Sequence, residues 1–260
     1  MEVIVLLKQV PSTESEIKIA EDGLSIQELD IKWVINPYDE FDIEEALRIR
    51  EAYDGTVTIL SVGPERTVEA IRTALAMGAD RGILINDAEF SPLDGLQTAR
   101  WIAAALKTMS YDIIIAGQRT VDADEYLVGT AVAELLGIPM IPMVIEQNIE
   151  AGKIRCHRTL EGGSAVIEAP LPALFTTQRG LNEPRYTSLP GIMKAKKKPL
   201  DIKTPSDFGI DESLMRENST RIVSLHLPPS RSAGQIIQGE TAEEKAVALV
   251  RLLKEDAKVI

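Results

Sequence analysis

An α/β fold on a mostly parallel, doubly wound sheet, with an added β-hairpin and an extended C-terminal arm, is the reading that three features of the sequence predict. Short Val- and Ile-rich runs alternate with segments of helical period, the pattern of βαβ units. Past Pro139 this gives way to strand-like alternation, as in Ile154-Arg155-Cys156-His157 and Ala165-Val166-Ile167, joined through Glu161-Gly162-Gly163-Ser164. From about Asn182 the chain turns Pro- and Lys-rich and offers few core signals before Thr241.

Taken in order, the buried parallel strands are expected at residues 2–7, 57–62, 81–86 and 112–116. Between them, Ile43, Ala46, Leu47 and Tyr53 mark one amphipathic helix, and Val68, Ile71 and Leu75 a second that ends at Gly78. A third takes Ser91 as N-cap, Pro92 at its first position and Asp94 in its first turn, with Leu96, Ala99, Ala103 and Leu106 on one face. The fourth is expected from near Glu125 to Gly137, with Val128, Val132, Leu135 and Leu136 inward. The hairpin region covers residues 144–176, and Thr241-x-x-Glu244 opens a last helix bearing Val247, Val250 and Leu253. Two units follow: 1–181, the α/β domain with its hairpin, and 182–260, an arm whose sparse core requires another surface, most simply a partner chain.

Composition narrows the function. A chain of 260 residues with 45% apolar and 26% charged residues is expected to be a soluble globular protein. Its net charge of -12 repels nucleic-acid backbones. The lone Cys156 excludes an internal disulfide and fits a reducing, cytoplasmic setting; the N-terminal apolar run is too short and lacks the basic flank of a signal peptide. His157 and His226 lack partners at any catalytic spacing and read as structural, as does Cys156. No catalytic residue is assigned.

Ligands of open parallel sheets bind beyond the carboxyl ends of the strands. Four loops lie there: Lys8-Gln9-Val10-Pro11, Asn36-Pro37-Tyr38-Asp39, Ser61-Val62-Gly63-Pro64, and Gly117-Gln118-Arg119-Thr120-Val121-Asp122-Ala123-Asp124 running into the fourth helix. Gly63 and Gly117 permit close backbone approach, and amides at a helix start near residues 125–128 suit an anion such as a nucleotide phosphate. The alternative is that the glycines shape turns and Asp122 and Asp124 cap the helix. Neither G-x-G-x-x-G nor G-x-x-x-x-G-K-[ST] occurs. The run Lys194, Lys196, Lys197, Lys198 after Leu189-Pro190-Gly191-Ile192-Met193 pairs an apolar knob with positive charge, either a solvated face or a docking surface.

Leu181-Asn182-Glu183-Pro184-Arg185-Tyr186 followed by 189–198, Ile71-Arg72-Thr73-Ala74-Leu75-Ala76-Met77-Gly78-Ala79-Asp80-Arg81, and Leu160-Glu161-Gly162-Gly163 together resemble the β subunit of electron-transfer flavoprotein, nearly end to end. The resemblance implies an adenine-nucleotide-binding domain of Rossmann- or flavodoxin-like topology, paired with an α subunit that holds most of the FAD. It implies AMP against Leu6, Asn36, Pro37, Tyr38, Asp39 and Val62. It extends that contact through Gly117, Gln118, Arg119, Thr120, Val121, Asp122, Ala123, Asp124, Glu125, Tyr126, Leu127 and Val128. It further implies a recognition loop, with Arg185, Tyr186, Leu189, Pro190, Ile192, Met193 and Lys194, that grips flavin dehydrogenases such as acyl-CoA dehydrogenase. Residues 122–129 depart from the pattern of AMP-holding members and from that of electron-bifurcating members with a second FAD at this site; AMP is the favoured reading. A stand-alone nucleotide-binding domain is the third.

Overall fold

The computed structural model describes residues 1–86, 93–210, 218–230 and 233–260. Among these, β1 (Glu2–Leu6), β4 (Thr56–Val62), β5 (Arg81–Ile85) and β6 (Ile113–Gly117) are the expected parallel strands. They are buried on both faces, so their runs are continuously apolar rather than alternating. Val3 and Val5 face one core, shared with Ile43, Leu47, Ile71 and Leu75. Ile4 and Leu6 face the other, with Trp101, Ile102 and Val132. Thus α1 (Pro37–Tyr53) and α2 (Thr67–Met77) cover one side, and α3 (Gly95–Leu106) and α4 (Val128–Leu136) the other. Each such side chain contributes about 1.5–3 kcal/mol by leaving water.

The sheet has nine strands among the described residues. Its order begins at β11 (Leu200–Lys203) and continues β5, β4, β1, β6. It then passes to β10 (Ala173–Thr177), β7 (Met140–Glu150), β8 (Lys153–Leu160) and β9 (Gly163–Pro170). From β1 the chain winds outward to β4 and β5, then returns past β1 to form β6. The crevice between β1 and β6 is therefore the switch point at which open sheets bind ligands.

Several elements differ from the sequence reading. The third helix is capped by Asp94, whose side chain accepts from Gln97 N, instead of holding Asp94 in its first turn; Ser91 and Pro92 lie outside the described residues. The fourth begins at Val128, not near Glu125, because Asp124 and Tyr126 take φ of 56° and 55°, which no right-handed helix admits. Leu135 is exposed rather than inward, and Tyr53 reaches solvent while its hydroxyl donates to Ile149 O at 2.9 Å. The hairpin region is a three-stranded antiparallel run, β7-β8-β9, and Thr176 belongs instead to β10, a parallel strand beside β6.

Two short strands, β2 (Gln9–Pro11) and β3 (Trp33–Ile35), form a separate antiparallel pair. Beyond residue 182, α5 (Leu189–Ala195) packs on α2, Ala195 is buried, and β11 pairs in parallel with β5 at the sheet edge. The last helix, α6 (Ala242–Glu255), is capped as expected, Thr241 accepting from Glu244 N at 3.1 Å, yet it buries no residue.

Candidate functional site

The crevice is organised around Asn36. At the N-cap of α1, before Pro37, an asparagine ordinarily turns its side chain onto its own helix. Here Asn36 is fully buried, and its side chain bridges two elements instead. Nδ2 donates to Asp39 Oδ1 at 2.6 Å and to Arg119 O at 3.0 Å, while Oδ1 accepts from Val121 N at 3.2 Å. Asn36 thereby fixes the loop after β6 to the start of α1. Gly117, the last residue of β6, makes the junction sterically feasible: a Cβ there would lie 2.4 Å from Asp39 Oδ1 and 3.0 Å from Tyr38 Cβ.

Charge completes the arrangement. Asp39 Oδ2 accepts from Lys8 N at 2.7 Å, and Lys8 Nζ reaches Asp122 at 2.8 Å, closing the loop over the end of β1. Arg119 Nε donates to the Tyr38 hydroxyl at 2.9 Å, and Arg119 meets Asp124 at 2.5 Å and stands over the Tyr38 and Tyr126 rings. The aspartates of this loop are thus neutralised by Lys8 and Arg119 and do not cap α4. That helix has no side-chain cap and no acidic residue in its first turn, leaving its leading amides to an incoming anion. Gln118 Oε1 is buried there without a hydrogen-bond partner.

Leu6, Asn36, Pro37, Tyr38, Asp39, Gly117, Gln118, Arg119, Thr120, Val121 and Asp122 converge on the ends of β1 and β6, and Val62 ends the neighbouring β4. Ala123, Asp124, Tyr126 and Leu127 form an exposed stretch leading into Val128. Glu125 and Leu127 turn toward α3: a Cβ on Gly95 would lie 2.5 Å from Glu125 Oε2 and 3.1 Å from Leu127 Cδ2. The sequence reading missed Lys8 as the Asp122 partner, although the residue following an apolar first strand is a recurrent ligand-side position.

Beneath the crevice, α1 buries two carboxyls. Asp39 is pushed up to about 7, first by burial, against the lowering effect of the Lys8 amide and Asn36. Burial, then the neighbouring Asp39 charge, raises Asp42 well above the ordinary carboxylate range, against a smaller lowering effect of the Thr177 hydroxyl. A carboxyl whose folded pKa is raised favours folding once protonated, and that contribution is lost as pH rises from the unfolded value of 3.8 toward the folded one. Thermal unfolding should therefore show stability falling between about pH 4 and pH 7. Asp42→Asn should flatten the slope; an unchanged slope would mean that Asp42 is ionised in the fold.

Other reactive groups lie elsewhere. Burial, then the Glu45 charge, pushes the Cys156 thiol up to about 12, so it is inert. His157 stands 3.7 Å from Glu146 on the antiparallel strands, and His226 Nε2 hydrogen-bonds the Ser224 hydroxyl at 3.1 Å. Among the described residues no cluster of His, Cys, Asp and Glu could hold a metal ion, and no helix is long and apolar enough to cross a membrane.

The expected docking residues are displayed outward. Tyr186 is 97% exposed, Leu189 79% and Met193 72%; Ile192, Pro190 and Lys194 are also exposed. Arg185 instead faces its own fold, with Nε at 2.7 Å from Glu44 and Nη1 at 2.6 Å from Glu51.

The model of the electron transfer flavoprotein domain matches residues 23–207. The electron transfer flavoprotein subunit beta of Bacillus subtilis (strain 168) is 41% identical over 261 residues, covering 100% of both chains. That of Bradyrhizobium diazoefficiens is 36% identical with 100% of each covered. A subunit of the caffeyl-CoA reductase-Etf complex of Acetobacterium woodii, CarD, is 36% identical over 98% of each. The family model and the full-length similarity agree with the sheet topology, and the chain belongs to the electron-transfer flavoprotein family as a β subunit.

Proposed function

We propose that this chain is the AMP-holding half of a heterodimeric electron carrier, in which an α subunit carries most of the FAD. The observation that carries the reading is the pairing of an uncapped α4 N-terminus with a switch-point crevice whose aspartates are already matched by Lys8 and Arg119. A nucleotide phosphate would meet amides rather than bare carboxylates at the start of α4. Gln118, at the end of β6, offers an unused oxygen to an exocyclic amine or hydroxyl. The nucleotide would be structural, bracing the loop at 117–128.

FAD held mainly by an α subunit would supply the redox chemistry. This chain's own part is to hold the partners. The exposed apolar face of α6, with Val247 at 66% and Val250 at 54% exposure, supports an arm laid against the α subunit. Leu189, Ile192 and Met193 support a docking surface for a flavin dehydrogenase such as acyl-CoA dehydrogenase.

A second reading, an electron-bifurcating subunit with a second FAD in the crevice, draws on the similarity to CarD and on Val128-Gly129. Co-expression with an α subunit decides between them. The carrier reading expects a yellow heterodimer with one flavin, AMP released on denaturation, and reduction by an acyl-CoA dehydrogenase. Two flavins without AMP would establish the bifurcating type, and a colourless monomer would overturn both.

A further inference from the structure

Of the lysines at 194–198, three are exposed and the fourth is turned into the fold. Lys198 Nζ donates to Leu75 O at 3.0 Å, Gly78 O at 3.1 Å and Ala79 O at 2.6 Å. An ammonium has three donors, and all are used on carbonyls at the C-terminal end of α2, where the helix dipole favours a cation. Burial holds its pKa below the ordinary lysine value. The grip is reciprocal, since Arg72 on α2 donates to Ala195 O at 2.6 Å and to Lys198 O at 2.8 Å. Between these points α5 lies directly on the backbone of α2: a Cβ on Gly191 would stand 2.5 Å from Ala76 O. At the other end of the segment Arg185 is held by Glu44 and Glu51.

We propose that Lys198, together with Arg72, is a positioning residue for partner docking: it locks α5 onto α2, so that Leu189, Ile192 and Met193 project outward before any partner arrives. The inference rests on the docking role proposed above for this surface. A seven-residue helix does not hold its shape alone, and ordering it on contact would subtract from affinity. The clasp removes that cost by fixing the segment in advance. It also separates two roles within one lysine run, Lys194, Lys196 and Lys197 facing solvent and Lys198 facing the fold.

The test uses the intact heterodimer, with the rate of reduction by an acyl-CoA dehydrogenase measured against carrier concentration. Lys198→Met should raise the KM for the carrier by about tenfold while leaving kcat at saturation and flavin content unchanged. Lys197→Met should have a small effect that vanishes at high salt, whereas the Lys198→Met effect should persist. Combined with Leu189→Ala, Lys198→Met should raise the KM by less than the product of the two single effects, because a clasp acts only through the residues it presents and one of the three is already gone. A normal KM for Lys198→Met beside a raised one for Leu189→Ala would refute the clasp and spare the docking surface. Additive effects would refute it too, and a silent Leu189→Ala would overturn the docking role and the clasp together. Should Lys198→Met fail to accumulate, Arg72→Gln reads the same quantity, a raised KM supporting the clasp and an unchanged one refuting it.

Discussion

Leu189→Ala should cost about 2 kcal/mol of docking free energy, a roughly 30-fold rise in the KM for the carrier with an acyl-CoA dehydrogenase. The size follows from its setting. Leu189 is 79% exposed at the first position of α5, so in the free chain its side chain contributes little to folding. Truncation therefore leaves stability nearly unchanged, and its cost is confined to the bound state. Ser188 caps the helix by accepting from Gly191 N at 3.1 Å and is untouched by the change, so the segment keeps its form. Stopped-flow reduction with varied carrier, beside thermal unfolding, separates the two effects. Unaltered electron transfer would remove Leu189 from the interface.

How much of this was legible in the sequence depends on which force fixes each residue. The parallel strands and their faces were, because burial on both sides writes continuous Val and Ile runs that no other element needs. Three-residue strands such as β2 and β3 carry too few positions to establish a period. The edge strand β11 hides behind exposed residues, since only one of its margins is paired. The start of α4 was misjudged because the left-handed backbone at Asp124 and Tyr126 has no glycine to announce it. Lys198 cannot be told from its neighbours in a charge run; only the arrival of its ammonium at three carbonyls of a helix over 100 positions away in the chain distinguishes it. The strand-end loops could be located in the sequence as a group, but their internal wiring could not. Asp122 and Asp124, which the sequence also allows as helix caps, leave α4 uncapped and pair with Lys8 and Arg119.

That wiring makes Gly117→Ala the second large effect. The added methyl would sit 2.4 Å from Asp39 Oδ1, 3.0 Å from Tyr38 Cβ and 3.3 Å from Asn36 Nδ2, so it cannot be accommodated by one side chain swinging away. Asp39 is held between the Lys8 amide and Asn36, and Tyr38 belongs to the first turn of α1. Either β6 withdraws from α1 or the Asn36–Asp39 bond breaks. In the second case Asn36 releases Arg119 O and Val121 N, and the loop at 118–122 loses its register. Overpacking and a stranded buried polar group together cost about 3 kcal/mol, which lowers the unfolding temperature by roughly 5–10 °C in a chain of this size. The nucleotide should be lost in parallel, because the same loop carries Gln118 and leads to the free amides of α4. Assembly with an α subunit gives the discriminating measurement. If AMP braces the β subunit without taking part in redox, the Gly117→Ala heterodimer should retain its single flavin and pass electrons at a normal kcat below its unfolding temperature, while releasing no AMP on denaturation. Loss of flavin together with the nucleotide would instead place the redox cofactor in this crevice.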